Sequence, residues 1–249
     1  MKKLFSLAIV LVAAFSSVSA QNIQFHYDLG HSLYNDLTPR QSVTTTVEMF
    51  KPDDWGSTFL FIDLDYKNDG VKGAYWEVSR EFNVTKDKHW AAHVEYNGGA
   101  ETGETPSSYY GNRYQHVALA GGAWNWHSKD FARTFSVQLL WKYYFANHHR
   151  DMGAFNSWQL TEVWSTTFAH GLCTFDGYCD LWYNKRVNGN LVLQSEPQFW
   201  FNLNTIKGWE KIKLSLGSEV EVSNNFVYNE YGKNNKFYAI PTVAAKWTF

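Results

Sequence analysis

The sequence predicts an all-β protein, an antiparallel transmembrane β-barrel of about 12 strands with short periplasmic turns and longer extracellular loops. Three observations predict it. Apolar and polar residues alternate with period two along much of the chain, in segments separated by turn residues. Phe, Trp and Tyr make up 18% of the 249 residues, 12 of them Trp, although the mean hydropathy is only −0.40. The last segment sets Val243, Ala245, Trp247 and Phe249 against Thr242, Ala244, Lys246 and Thr248. A membrane barrel accounts for all three, because every second strand residue faces a wet lumen while rings cover the lipid face and its interfacial girdles.

The chain opens with Lys2 and Lys3, an apolar run from Leu4 to Phe15 and small residues up to Ala20. That order reads as an export signal over 1–20, cleaved before Gln21. Its apolar run falls short of the roughly 20 residues a spanning helix needs. No Pro-rich or Gly/Ser-rich linker follows, so 21–249 reads as one barrel domain, destined for the bacterial outer membrane.

The expected strands are 23–32, 42–50, 58–66, 74–84, 88–97, 114–126, 131–145, 156–168, 172–183, 191–204, 210–223 and 236–249. In the third, Leu60, Ile62, Leu64 and Tyr66 take one face and Phe59, Phe61, Asp63 and Asp65 the other. In the fifth, Trp90, Ala92, Val94 and Tyr96 oppose His89, Ala91, His93 and Glu95. In the seventh, Phe135, Val137, Leu139, Trp141, Tyr143 and Phe145 form one apolar face. Alternation conflicts at Glu162, whose phase sides with Trp158, Leu160 and Trp164; a bulge would resolve it.

The joins have two kinds. Residues 51–57, 85–88, 127–130, 169–171 and 205–209 are short, whereas 98–113, 146–155 and 224–235 are long and polar. With both chain ends periplasmic, the short joins are the periplasmic turns. Glu77-Val-Ser-Arg-Glu-Phe-Asn-Val84 also resembles Glu196-Pro-Gln-Phe-Trp-Phe-Asn-Leu203, half a barrel away, which suggests two like halves.

A Lys or Arg facing lipid near mid-bilayer costs about 2–4 kcal/mol, so charges should point inward. That makes Asp63, Asp65, Glu77, Glu81, Glu95, Asp176, Asp180, Glu196, Glu219 and Glu221 lumen acids, with Lys142, Lys211, Lys213 and Lys246 as basic partners. Phe59, Phe61, Tyr75, Tyr178, Trp182 and Trp200 share the inward phases. Candidate solute-binding residues are Glu48, Phe59, Phe61, Asp63, Asp65, Tyr75, Glu77, His93, Glu95, Asp176, Tyr178, Asp180, Glu196 and Trp200. Rings can stack on a flat solute while carboxylates bind its polar edge, and the excess of acid favours a neutral or cationic one.

Other chemistries have less support. The formal charge of −2 suggests no nucleic-acid partner. His31-Ser32 and His127-Ser128 are neighbours whose side chains diverge on a strand, so no catalytic set is read. His148-His149-Arg150-Asp151 reads as an exposed loop, and no metal or cofactor is expected. Cys173 and Cys179 on one strand would lie about 20 Å apart, too far to bridge unless a turn falls between them.

The stretch Thr44-Thr-Thr-Val-Glu-Met-Phe-Lys-Pro-Asp-Asp-Trp-Gly-Ser-Thr-Phe-Leu-Phe-Ile-Asp-Leu-Asp65, resumed at Tyr75-Trp-Glu-Val-Ser-Arg-Glu-Phe82, resembles the nucleoside-specific outer-membrane channels of the Tsx type. The resemblance implies a monomeric barrel with a narrow pore for nucleosides, and Glu48, Asp63, Asp65 and Glu77 match its pattern. The strand ending in Phe249 resembles the signal read by the barrel-assembly machinery, an expected partner along with outer-membrane lipid. The expected function is passive diffusion of a small polar solute such as a nucleoside. A closed structural or adhesion barrel and a lipid-modifying enzyme are the alternatives.

Overall fold

The structure is a computed structural model that describes residues 21–37, 40–67, 70–101, 114–148, 151–227 and 235–249. Its strands are β1 (Gln21–Asp28), β2 (Val43–Asp53), β3 (Gly56–Lys67), β4 (Gly70–Asn83), β5 (Trp90–Glu101), β6 (Val117–His127), β7 (Arg133–Tyr144), β8 (Phe155–Phe168), β9 (Cys173–Tyr183), β10 (Leu191–Ser195), β11 (Gln198–Asn202), β12 (Leu214–Asn224) and β13 (Phe237–Thr248). Each pairs antiparallel with its neighbours, and β13 pairs with both β12 and β1, so the sheet closes. Segments β10 and β11 occupy one position between β9 and β12, which makes a barrel of 12 strands. The expected architecture is thus borne out.

The alternation sorts side chains as the sequence requires. Trp90, Trp126, Phe168, Trp209 and Trp247 stand exposed toward the end that carries the tight turns, and Tyr27, Tyr96, Trp141 and Trp158 toward the other. Val78, Val94, Leu139, Leu216 and Val243 are exposed between these rings. An exposed apolar band between two aromatic girdles is the outer surface of a bilayer-spanning barrel. Asn22 pairs with Thr248, and the Phe249 amide donates to Gln21 at 3.0 Å, so both ends of the described chain lie on the tight-turn side.

Several boundaries differ from expectation. Strand β1 stops at Asp28, because its carboxylate accepts the Gly30 amide at 2.6 Å and starts a one-turn helix, α1 (Gly30–Leu33). The expected tenth strand breaks at Glu196-Pro197, since proline has no N–H for the ladder. The facing Gly177 has φ +148°, and a Cβ there would lie 2.4 Å from the Glu196 carbonyl oxygen. Strand β12 begins only at Leu214, which leaves Lys211 and Lys213 exposed in the turn rather than in the lumen. Strand β5 runs on to Glu101, past the expected loop start at 98. The join between β3 and β4 is short although it lies on the long-loop side.

Glu162 has no bulge beside it. The registers with β7 and β9 are continuous, pairing it with Val137 and Cys179 on the outward face between Leu160 and Trp164. Cys173 and Cys179 both lie on β9 and are free thiols.

Two stability predictions follow from these positions. Gly177→Ala should destabilise the folded barrel by about 1–3 kcal/mol, through strained backbone and contact with Glu196. Glu162→Leu should stabilise it by about 1 kcal/mol, because an outward carboxylate is replaced by a lipid-compatible side chain. Urea unfolding in lipid vesicles, followed by tryptophan fluorescence, measures both.

Candidate functional site

One lumen wall is built by β2, β3 and β4. Antiparallel register sets Thr46 opposite Asp63 and Thr44 opposite Asp65, and the threonine hydroxyls donate to the two carboxylates at 2.5 and 2.8 Å. Asn22 donates to Glu48 at 3.0 Å. Glu77 accepts from the Tyr75 hydroxyl at 2.5 Å and from Asn97 at 3.0 Å. Beside these acids runs a ladder of rings: Phe59 to Phe61 at 6.0 Å, Phe61 to Tyr75 at 5.9 Å, and Tyr75 to Tyr114 at 5.5 Å between centroids. Tyr114 reaches the ladder because residue 99 is glycine; a Cβ there would sit 2.3 Å from its ring.

The facing wall comes from β9 to β13. Asp180 accepts from Thr161 at 2.5 Å, Glu196 from Gln194 at 2.9 Å and Glu219 from Gln198 at 2.6 Å. Tyr178 lies between Asp180 and Glu196 in the inward phase. Trp200, fully buried, donates its indole N–H to Gln198 at 3.0 Å. Lys246 sits 4.1 Å above that ring and 3.7 Å from Asp176. Carboxylates of the two walls come within electrostatic reach of each other, Asp63 of Glu196 and Glu219, and Glu77 of Asp180.

His93 stands between two acids. One ring nitrogen is 3.3 Å from Glu81 and the other 3.1 Å from Glu95, a geometry that satisfies both when the imidazole carries two protons. Asn125 also donates to Glu81, at 2.7 Å.

Above the acids, two apolar clusters fill part of the mouth. Leu37, Val227, Tyr238 and Ile240 are buried together with Tyr34 against them, because the segment after β1 folds inward over β13. Arg40 follows, donating to Asp28 at 2.7 Å and to Glu221 at 2.5 Å. Lys236 and the Tyr238 hydroxyl both donate to Asp36 and hold its carboxyl down at about 2. That anchor is present at neutral pH and is lost only as pH falls from the free-carboxylate range through about 2. On the other side Val187 joins Tyr144, Phe155, Trp182 and Val192. The inward side chains of β6 and β7 in this region, Leu119 and Leu140, are about as buried as any in the protein, whereas Phe59, Phe61 and Tyr75 keep part of their surface. On the facing wall Asp176, Tyr178, Asp180 and Glu196 also keep part of their surface.

The model of the family described as "Domain of unknown function (DUF5020)" matches residues 20–249. The chain belongs to that family. Among solved structures, this DUF5020 chain is similar to the NanC porin, with TM-score 0.58 and 10% identity over 92% of this chain and 100% of that one. It is also similar to the KdgM porin, with TM-score 0.51 and 8% identity over 92% of this chain and 99% of that one. At such identity the likeness is one of fold. No curated protein matches the chain.

Thirteen of the fourteen sequence-derived candidates of the DUF5020 chain lie on inward phases of the strands, and Glu196 lies in the break between β10 and β11, where Gln194 donates to it. His93 and Glu95 belong to the His93 clamp rather than to the ring ladder. The sequence reading missed Asn97, although it continues the phase of His93 and Glu95. It also missed Arg40, which lies in a join where no periodicity points inward, and Tyr114, placed at the start of the sixth expected strand, whereas β6 begins only at Val117. His127 and Ser128 form no dyad: the histidine faces the Ser128 carbonyl at 2.9 Å, and the serine hydroxyl donates to Asp130 at 2.5 Å. Among the described residues no His, Cys, Asp and Glu group has the geometry to hold a metal.

Arg40 links two lumen carboxylates from a loop, so its removal leaves both without their cation. Arg40→Ala should cost about 3–5 kcal/mol of stability in the same vesicle unfolding assay, and Arg40→Lys should recover part of it.

Proposed function

We propose that the protein is a passive outer-membrane channel for small polar solutes that are neutral or cationic, flat-ringed solutes such as nucleosides among them. The observation that carries this reading is the ladder Phe59–Phe61–Tyr75–Tyr114 running beside Asp63, Asp65 and Glu77. A flat solute can pass from ring to ring by offset stacking without a deep well at any step. Its hydroxyl and amino groups meet carboxylates whose remaining lone pairs are free to accept. The acids are held mainly by hydroxyl and amide donors, so the lumen keeps a negative potential that disfavours anions. The porin folds it resembles and the likeness of 44–65 and 75–82 to nucleoside channels support the same reading.

A closed structural barrel is the second reading. The Leu37 and Val187 clusters favour it, since both occupy the mouth.

Planar-bilayer recording separates the two. A channel should give conductance steps, a reversal potential that favours cations, and partial block by added nucleoside. Asp65→Asn combined with Glu196→Gln should weaken that block about ten-fold, the effect of losing hydrogen bonds to charged acceptors. Silence across voltage and salt would overturn the channel in favour of the closed barrel.

A further inference from the structure

Lys142 on β7 is a lysine held in the barrel, 6% exposed. Its ammonium lies 4.4 Å above the Trp182 ring and 5.4 Å from that of Tyr144. Its hydrogen bond, at 2.5 Å, goes to the side-chain oxygen of Gln159, an amide rather than a carboxylate. Yet Glu77 and Asp180 are within electrostatic reach from neighbouring walls. The ammonium is thus parked on rings beside acids that it does not directly bond.

Asn97 bonds one of these acids, Glu77, which is itself within electrostatic reach of Asp180. The asparagine is 5% exposed, and its amide N–H group donates to Glu77 at 3.0 Å. That contact fixes the amide orientation, because the reversed one would place oxygen against a carboxylate. The side-chain oxygen of Asn97 is left buried with no hydrogen-bond partner. Unpaired buried acceptors are rare in folded proteins and call for a donor. The Glu77 carboxylate beside it is an acceptor as well, so a group that brings more than one N–H donor together with a positive charge would satisfy both.

We propose that Asn97, Glu77 and Asp180 form a seat for the ammonium group of a primary amine, and that Lys142 is a tethered cation with which such a solute competes. A primary ammonium is compact and carries three N–H donors, which suit the Asn97 oxygen and two carboxylates. Rings beside carboxylates already hold one ammonium, that of Lys142, so the lumen itself displays the chemistry that would recognise a second. This inference rests on the channel reading for its physiological use and narrows its solute to amine-bearing compounds. The binding step stands without it.

The test has two readouts on the full barrel. Calorimetry on detergent-solubilised protein measures binding of 1,4-diaminobutane against the uncharged 1,4-butanediol. Bilayer recording measures block by the same pair. The diamine should bind and the diol should not. Lys142→Met should tighten diamine binding about ten-fold by removing the competing cation. Asn97→Leu, which leaves the charges untouched, should weaken it by a similar factor. If Lys142→Met fails to fold, judged by retained β-sheet circular dichroism, the Asn97→Leu result decides. Equal binding of diamine and diol, or a diamine affinity unchanged by Asn97→Leu, overturns the seat even in a conducting pore. A silent pore that still binds the diamine overturns the channel reading and leaves the seat standing.

Discussion

In hydrocarbon, a backbone N–H or C=O cannot turn to water, so every strand edge must find another strand. The pairing of β1 with β13 meets that requirement and the remaining features of the molecule follow from it. Closure forces each strand to present one row of side chains to lipid and the next to the lumen. It fixes the register, because a slip of one residue would turn Asp63, Asp65 and Glu77 outward and the valines and leucines inward. It also puts the first and last strands side by side, which is why the alternation of 242–249 matters as much as that of any central strand.

Closure also creates the lumen's chemical problem. Acids from both walls are brought within electrostatic reach of each other, Asp63 of Glu196 and Glu219. The chain answers with neutral donors on adjacent strands, or two residues away in the case of Gln194: Thr44, Thr46, Thr161, Gln194 and Gln198 each serve one carboxylate. Cations are used sparingly, with Arg40 at the mouth, Lys246 against Trp200 and Lys142 on the Trp182 ring beside Glu77 and Asp180. A hydroxyl or amide satisfies one lone pair and leaves the charge in place, whereas an arginine fork would cancel it. The arrangement therefore preserves a negative field along the path while avoiding orphaned carboxylates.

Much of this was legible in the sequence, for a physical reason. Strands β3, β5, β7 and β13 alternate without interruption, so their faces could be assigned residue by residue, and the inward acids and rings came with them. Where the structure departs, the departure is tertiary or local. Pro197 was visible, but that its break would be matched by Gly177 on the next strand depends on pairing. Lys211 and Lys213 have the right parity for the lumen, yet parity means nothing outside a strand, and β12 starts after them. The inward fold of 29–37 begins with Asp28 capping Gly30, a two-residue contact that interrupts an otherwise plausible strand. Arg40 reaches the lumen from a join, where side-chain direction has no period to reveal it, and Tyr114 from the residues before β6 begins at Val117. The position of Glu162 was read correctly as a conflict, and the continuous ladders on both sides show that it is one the barrel keeps.

The filling of the lumen is lopsided, and this has a consequence for transport. The clusters around Leu37 and Val187 rest on β13 and on β6 to β10, while β2 to β4 carry the ring ladder with surface to spare. Under the proposed channel reading, a flat solute would pass between the ladder and the facing wall. Its flat face would meet Phe59, Phe61, Tyr75 and Tyr114, and its polar edge the carboxylates across the gap. The rings and apolar clusters beside such a path would leave the field of those carboxylates less screened than in a wide, water-filled pore. Under that reading a few acids and rings would be sufficient for discrimination: stacking would orient the solute, and charge would decide which of the oriented solutes stays.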